Sequence, residues 1–210
     1  MKRLVALLVG LVTVVAVRAA NATKPLETDA SLGFALPLGS LERGSRISDT
    51  TWGNVPIELD GAWFFAPRIG LHGAFSYAVG IPKLCASTRD CEASLGHDVA
   101  IELGVRFAPP DLGVLSPRLD AGIGWEWYGA SLADNGAVSS RAYSGPTFLA
   151  LAFSAPLVLS KRFAIGPTLG VRAGVFSSST RQTPAWTETS LDGTAIHAWL
   201  RIAIDARLTF

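Results

Sequence analysis

Lysine, cysteine, methionine and histidine are scarce in this sequence: its 210 residues contain four, two, one and three of them. Two cysteines, Cys85 and Cys91, are too few for a disulfide-stapled scaffold. Without a cluster of histidines beside them they give no metal-site spacing either, so neither metal nor cofactor is expected. Charge of one sign is missing as well. Eighteen basic residues face seventeen acidic ones, for a formal net charge of +1, and no basic block stands out. Nucleic acid is thereby dropped as a partner. Beyond the first residues there is no apolar run near the roughly twenty that cross a bilayer as a helix. Yet hydrophobic residues make up 49% of the chain and the mean hydropathy is +0.35. If such a chain lives in lipid, a closed barrel is the remaining way to satisfy every backbone N–H and C=O.

The one continuous apolar stretch is Leu4 to Val17. Lys2 and Arg3 precede it and Ala20-Asn21-Ala22 follows, which is the layout of a secretory signal peptide over residues 1–22. Residues 23–30 are polar, contain Pro25, and read as a periplasmic lead-in.

From residue 31 the dominant signal is period two. In the closing stretch, residues 194–210, Ala198, Leu200, Ile202, Ile204, Ala206, Leu208 and Phe210 alternate with His197, Arg201, Asp205, Arg207 and Thr209. A helix would mix these two sets on one face, whereas a strand separates them. The same alternation recurs over residues 31–40, 54–66, 69–79, 98–107, 118–128, 147–159 and 163–176, making eight strands. Pro156 interrupts the sixth. The connections alternate in length: 41–53, 80–97, 129–146 and 177–193 are long, and those between are short.

The terminal pattern Ala206, Leu208, Phe210 resembles the assembly signal of bacterial outer-membrane barrels, and the chain as a whole resembles the small eight-stranded OmpA/OmpX-like family. That resemblance implies an all-β fold, an eight-stranded antiparallel up-and-down transmembrane β-barrel over residues 31–210. Its short turns would lie in the periplasm and its long loops outside. The resemblance also implies the outer membrane of a Gram-negative bacterium as location, outer-membrane lipid and the barrel assembly machinery as partners, and an unidentified ligand at the surface.

Alternation alone does not say which face is outside, and a secreted barrel with an apolar interior is the rival. Lysine placement separates the two, because Lys24, Lys83 and Lys161 all fall outside the expected strands. Aromatics on the apolar face collect at strand ends, with Trp63, Phe65, Phe107, Phe163 and Phe210 toward one rim and Phe75, Tyr77, Trp125 and Trp127 toward the other. Phe153 and Trp199 break that pattern. The apolar face is therefore expected to meet lipid, which puts Glu58, Asp60, Glu102, Asp120, Glu126 and Asp205 in the lumen with Arg106, Arg118, Arg172, Arg201 and Arg207. Near balance of sign favours a paired network that plugs the barrel, since an unpaired charge there would cost several kcal/mol.

In an exported protein, Cys85 and Cys91 are expected to form a disulfide in one external loop. No nucleophile and base come together: His72 and Ser76 lie too far apart along one strand, and neither His97 beside Asp98 nor His197 near Ser190 completes a constellation. The function expected is a non-enzymatic structural, binding or adhesion role at the cell surface. The alternatives are passage of a small solute and modification of lipid A.

Overall fold

The computed structural model describes residues 26–82, 96–134, 137–182, 186–189, 191 and 193–210. Residues 1–22 and the Cys85–Cys91 pairing lie outside that set. Among the described residues twelve strands form one sheet: β1 (Leu26–Glu42), β2 (Ser45–Arg46), β3 (Thr51–Ala66), β4 (Ile69–Pro82), β5 (His97–Phe107), β6 (Arg118–Asp134), β7 (Ala137–Ser154), β8 (Leu157–Val158), β9 (Phe163–Val175), β10 (Ser178–Gln182), β11 (Trp186–Thr189) and β12 (Ile196–Thr209). Eight of them close a ring of antiparallel neighbours, β1-β3-β4-β5-β6-β7-β9-β12 and back to β1. The seam is continuous from Glu27 opposite Thr209 to Gly39 opposite His197. Closure leaves the barrel wall without an edge strand.

The wall is apolar on its outer side. Leu32, Ile57, Leu103, Ile123, Ile202 and Ile204 are exposed, Leu103 to 73%, whereas Glu126, Arg106, Asp205 and Arg207 on the opposite faces of their strands are buried. That polarity is the inverse of a soluble barrel's and removes the rival reading.

Several boundaries differ from those that periodicity suggests: β1 runs on to Glu42, β3 starts at Thr51 and β4 ends at Pro82, and the expected loop 41–53 holds β2 and a 3₁₀ turn at Ile47–Asp49. β1 begins at Leu26, so residues 26–30 of the expected lead-in are strand. Leu26 pairs with Trp63 and accepts a hydrogen bond from the Phe210 N–H at 2.9 Å. Glu27 and Asp29 hide this extension because they are acids that point inward, alternating with the weakly apolar Thr28 and Ala30. The sixth barrel strand is residues 137–154, not 147–159. Pro156 ends it, and Leu157–Val158 pair separately with β9.

Residues 129–146, expected as a loop, continue the β6–β7 hairpin until Asp134 pairs with Ala137. Likewise 177–193 holds β10 and β11, which extend the sheet from β7. These stretches are rich in Ser, Ala, Thr and Gly in the sequence and carry no strong hydrophobe at every second position, so the alternation that marks a wall strand is missing from them. A bulge at Thr147/Leu149 leaves both Phe148 and Leu149 on the outer wall while Thr147 and Ala150 stay inside.

Candidate functional site: a lumen crossed by paired charges

Each barrel strand sends alternate side chains inward, so the lumen is built from the polar set. At the short-turn end the organising group is Arg106, 3% exposed. Its register partner on β6 is Asp120, and its partner on β4 is Gly70, which has no side chain to obstruct it. The guanidinium therefore spans the interior. It donates to Asp120 at 2.8 and 2.9 Å, to Asp60 at 3.0 Å and to Asp29.

Arg207 reaches the other oxygen of Asp29 at 2.8 Å and bonds Ser154 at 3.1 Å. Asp205 lies 3.9 Å from the same guanidinium. Arg118 forks onto Glu27 at 2.7 and 3.2 Å. Beneath them Ala62, Phe64 and Ala108 form an apolar floor.

Midway, Glu58 pairs with Arg201, and His72 Nδ1 lies 3.1 Å from Asp60. The ring of His72 fits because residue 104 is glycine: a Cβ there would stand 2.6 Å from His72 Nε2. Here Ala35, Ala74, Ala78 and Ala150 leave about 40 Å³ of free space beside Glu58, Asp98 and Glu102. That is room for roughly one or two water molecules.

Higher up, Arg172 donates to Glu102 at 2.7 Å and to Asp98 at 3.3 Å, with Glu126 at 4.0 Å. Glu126, fully buried, takes the Trp199 indole N–H at 2.8 Å, and His197 Nε2 lies 3.2 Å away.

Above this layer sits an apolar stopper. Tyr128, Tyr143 and Phe176 pack with Leu41 from β1 and with Ile47, which the 3₁₀ turn Ile47–Asp49 carries down into the mouth. Phe176 stacks on His197 with ring centroids 4.0 Å apart and planes 5° from parallel. The Thr50 and Tyr128 hydroxyls bond at 2.8 Å and hold the turn in place. Arg141 pairs with Glu42 and lies over the Tyr143 ring.

All the acids and arginines assigned to the lumen from sequence lie on the inner wall. Three further acids join them: Glu27 and Asp29, hidden in the expected lead-in, and Asp98 at the start of β5. Carboxylates consequently outnumber guanidinium groups inside, where the sequence suggested near balance. The signal for Glu27 and Asp29 was available in their period-two spacing with Ser31, but no strong hydrophobe alternates with them.

Trp199 is resolved as a hydrogen-bonded lumen residue, and Phe153 stands next to the end of β7. Trp63 with Phe65 and Trp125 with Trp127 form outward pairs near opposite rims, with centroids 6.3 and 6.4 Å apart.

The catalytic pairings considered from sequence do not assemble. His97 faces outward against Tyr77, its Nδ1 2.8 Å from the phenol oxygen, whereas Asp98 faces inward to Arg172. His72 engages Asp60 rather than Ser76. His197 is buried under Phe176, and Ser190 lies outside the described residues. Among the described residues no three of His, Cys, Asp and Glu converge to hold a metal ion.

No family model matches the sequence, and no curated protein does. Solved structures share the fold. The chain is similar to the outer membrane protein OprG of Pseudomonas aeruginosa, with a TM-score of 0.57 and 11% identity over 89% of this chain and 96% of that one. A major outer membrane protein of Thermus thermophilus gives 0.56 and 12% over 90% and 100%. Ail, the attachment invasion locus protein of Yersinia pestis, gives 0.51 and 15% over 87% and 98%. At these identities the likeness is one of architecture: a small eight-stranded barrel of the kind found in outer membranes.

Proposed function

We propose that the protein is an outer-membrane barrel of a Gram-negative envelope, exported through its amino-terminal signal peptide, whose work is done by its long-loop end at the cell surface and not by its lumen. The observation that carries this reading is the pairing of an interior crossed by a charge network and an apolar cluster with an exterior built out past the wall. The Arg106 cluster lies across one end and the Tyr128–Phe176–Ile47 stopper across the other. Meanwhile β6, β7, β10 and β11 run on as a sheet beyond the point where β5 stops pairing with β6 at Gly129. A chain that passed solutes would not need those strands and would not fill its pore with paired charges. Surface display of a binding or adhesive sheet, or a structural contact in the envelope, does need them.

Support for the membrane comes from the apolar outer wall and the outward aromatic pairs near its two rims, the pattern that lipid interfaces select. The likeness to Ail, whose name is that of an attachment protein, agrees with a surface role. No arrangement of nucleophile, base and oxyanion donors among the described residues favours an enzymatic reading.

The test has two parts. Fractionation with a gel run before and after boiling reads location and barrel formation. Cell-binding assays with the β6–β7 hairpin shortened between Ala130 and Arg141, alongside planar-bilayer currents of the purified protein, read the role. Loss of binding with negligible current is expected. A steady ionic current with unchanged binding would move the function to the lumen.

A further inference from the structure

The outer wall is not uniformly convex. One ring of register partners runs Leu208, Thr28, Gly61, Gly73, Leu103 across β12, β1, β3, β4 and β5. All five face outward, so between two tall leucines the wall is floored by one threonine and two glycines. This floor lies in an apolar depression of about 840 Å³ that also takes in Leu59 and Phe75 and continues past Leu103 to Ile123 and Trp125 on β6.

Glycine in a strand interior costs about 0.5–1 kcal/mol relative to alanine. Inside the barrel that cost is repaid by close packing, as at Gly104. At Gly61 it is not, for a Cβ built there would meet nothing within 4 Å, and at Gly73 the one close atom is the flexible tip of Leu103 at 3.3 Å. Glycine with open space above it marks a place where another molecule approaches the backbone.

The short turns beneath this wall carry cations. Arg68 lies in the β3–β4 turn, and Lys161 and Arg162 lie in the turn before β9, where the Arg162 carbonyl accepts from the Thr209 N–H beside Leu208. All three are exposed, as are Trp63 and Phe65 at the same level.

We infer that this depression seats an acyl chain of an anionic phospholipid from the periplasmic leaflet, its phosphate held by Arg68 and by the Lys161–Arg162 turn. A second copy of the barrel would fit the apolar floor but would bring these cations toward like charges, whereas an anionic headgroup neutralises them. The assignment rests on the barrel standing in the outer membrane with its short turns inward.

The experiment is native mass spectrometry of the folded protein released from nanodiscs of phosphatidylglycerol or of phosphatidylcholine. Wild type is expected to keep one phosphatidylglycerol and little phosphatidylcholine. Gly61→Leu, which fills the floor, should lose the lipid, and Arg68→Ala should weaken retention about fivefold, the loss of one surface cation's contribution. A gel before and after boiling verifies that each variant is a barrel, and this readout fails separately if the membrane reading itself is wrong. If Gly61→Leu does not fold, Arg68→Ala with Arg162→Ala tests the headgroup alone. Equal retention by wild type and variants, equal retention of both lipids, or a dimer mass that Gly61→Leu abolishes would overturn the inference.

Discussion

Trp199 donates its indole N–H to Glu126 at 2.8 Å from the far side of the barrel, with both side chains inside the wall. An aromatic that breaks the apolar alternation of β12 is therefore a polar contact that anchors the top of the charged layer. Replacing Trp199 by Phe keeps the ring and leaves a carboxylate oxygen without its donor, at a cost of about 1–3 kcal/mol. Trp125→Phe, on the outer wall, should cost less than half of that. Urea unfolding from lipid vesicles compares the two, and equal losses would assign Trp199 a packing role only.

Arg106 is the only guanidinium that touches Asp29, Asp60 and Asp120 together among the described residues. Arg106→Ala strands those carboxylates in a confined space, and a loss of about 3–5 kcal/mol is expected. An unchanged unfolding midpoint would mean that water already solvates the lower lumen, and the variant's ion selectivity would then be the quantity to measure.

Ile47 is fully buried in the stopper. Ile47→Asp puts a charge among Tyr128, Phe176 and Leu41 and should drive the 3₁₀ turn out of the mouth, raising planar-bilayer current above the wild-type level. If the current stays flat while the barrel remains folded, the seal lies in the Arg106 layer alone.

Leu103, the most exposed of the wall residues at 73%, belongs at mid-wall between the two rims. Leu103→Arg should cost about 2–4 kcal/mol in vesicles, while Leu103→Ala, which leaves an apolar face, should be nearly silent. Similar costs for both would contradict lipid contact at this position.

Phe210 contributes one backbone hydrogen bond, to Leu26, and an exposed ring. Deleting Phe210 removes so little that refolding stability should change by about 1 kcal/mol, and Phe210→Asp, which keeps the backbone bond, should change it by no more. A strong drop of Phe210→Asp in membranes of living cells, with normal refolding of the purified protein, is therefore the expected mark of recognition by the assembly machinery. Thr209→Ser should leave both unchanged. Normal cellular levels of Phe210→Asp would remove the signal reading.

Period-two alternation determined the eight wall strands and which residues share a face of each, because a side chain's face is fixed by parity once a strand exists; lysine placement and the aromatics then said which face is outside. Alternation fell silent where the sequence lacks strong hydrophobes at every second position. Hence β10, β11 and the upper parts of β6 and β7 read as loops, and Leu26 to Ala30, where Glu27 and Asp29 alternate only with Thr28 and Ala30, read as a lead-in.

Which charge meets which was beyond the sequence. Arg106 lies 14 residues from Asp120 but 77 from Asp29, and those distances close only when strand stagger and barrel curvature are set. The same holds for Ile47, an ordinary loop hydrophobe in the sequence. Only the folded mouth of the barrel, with Tyr128 and Phe176 already facing inward, offers it a dry place to go.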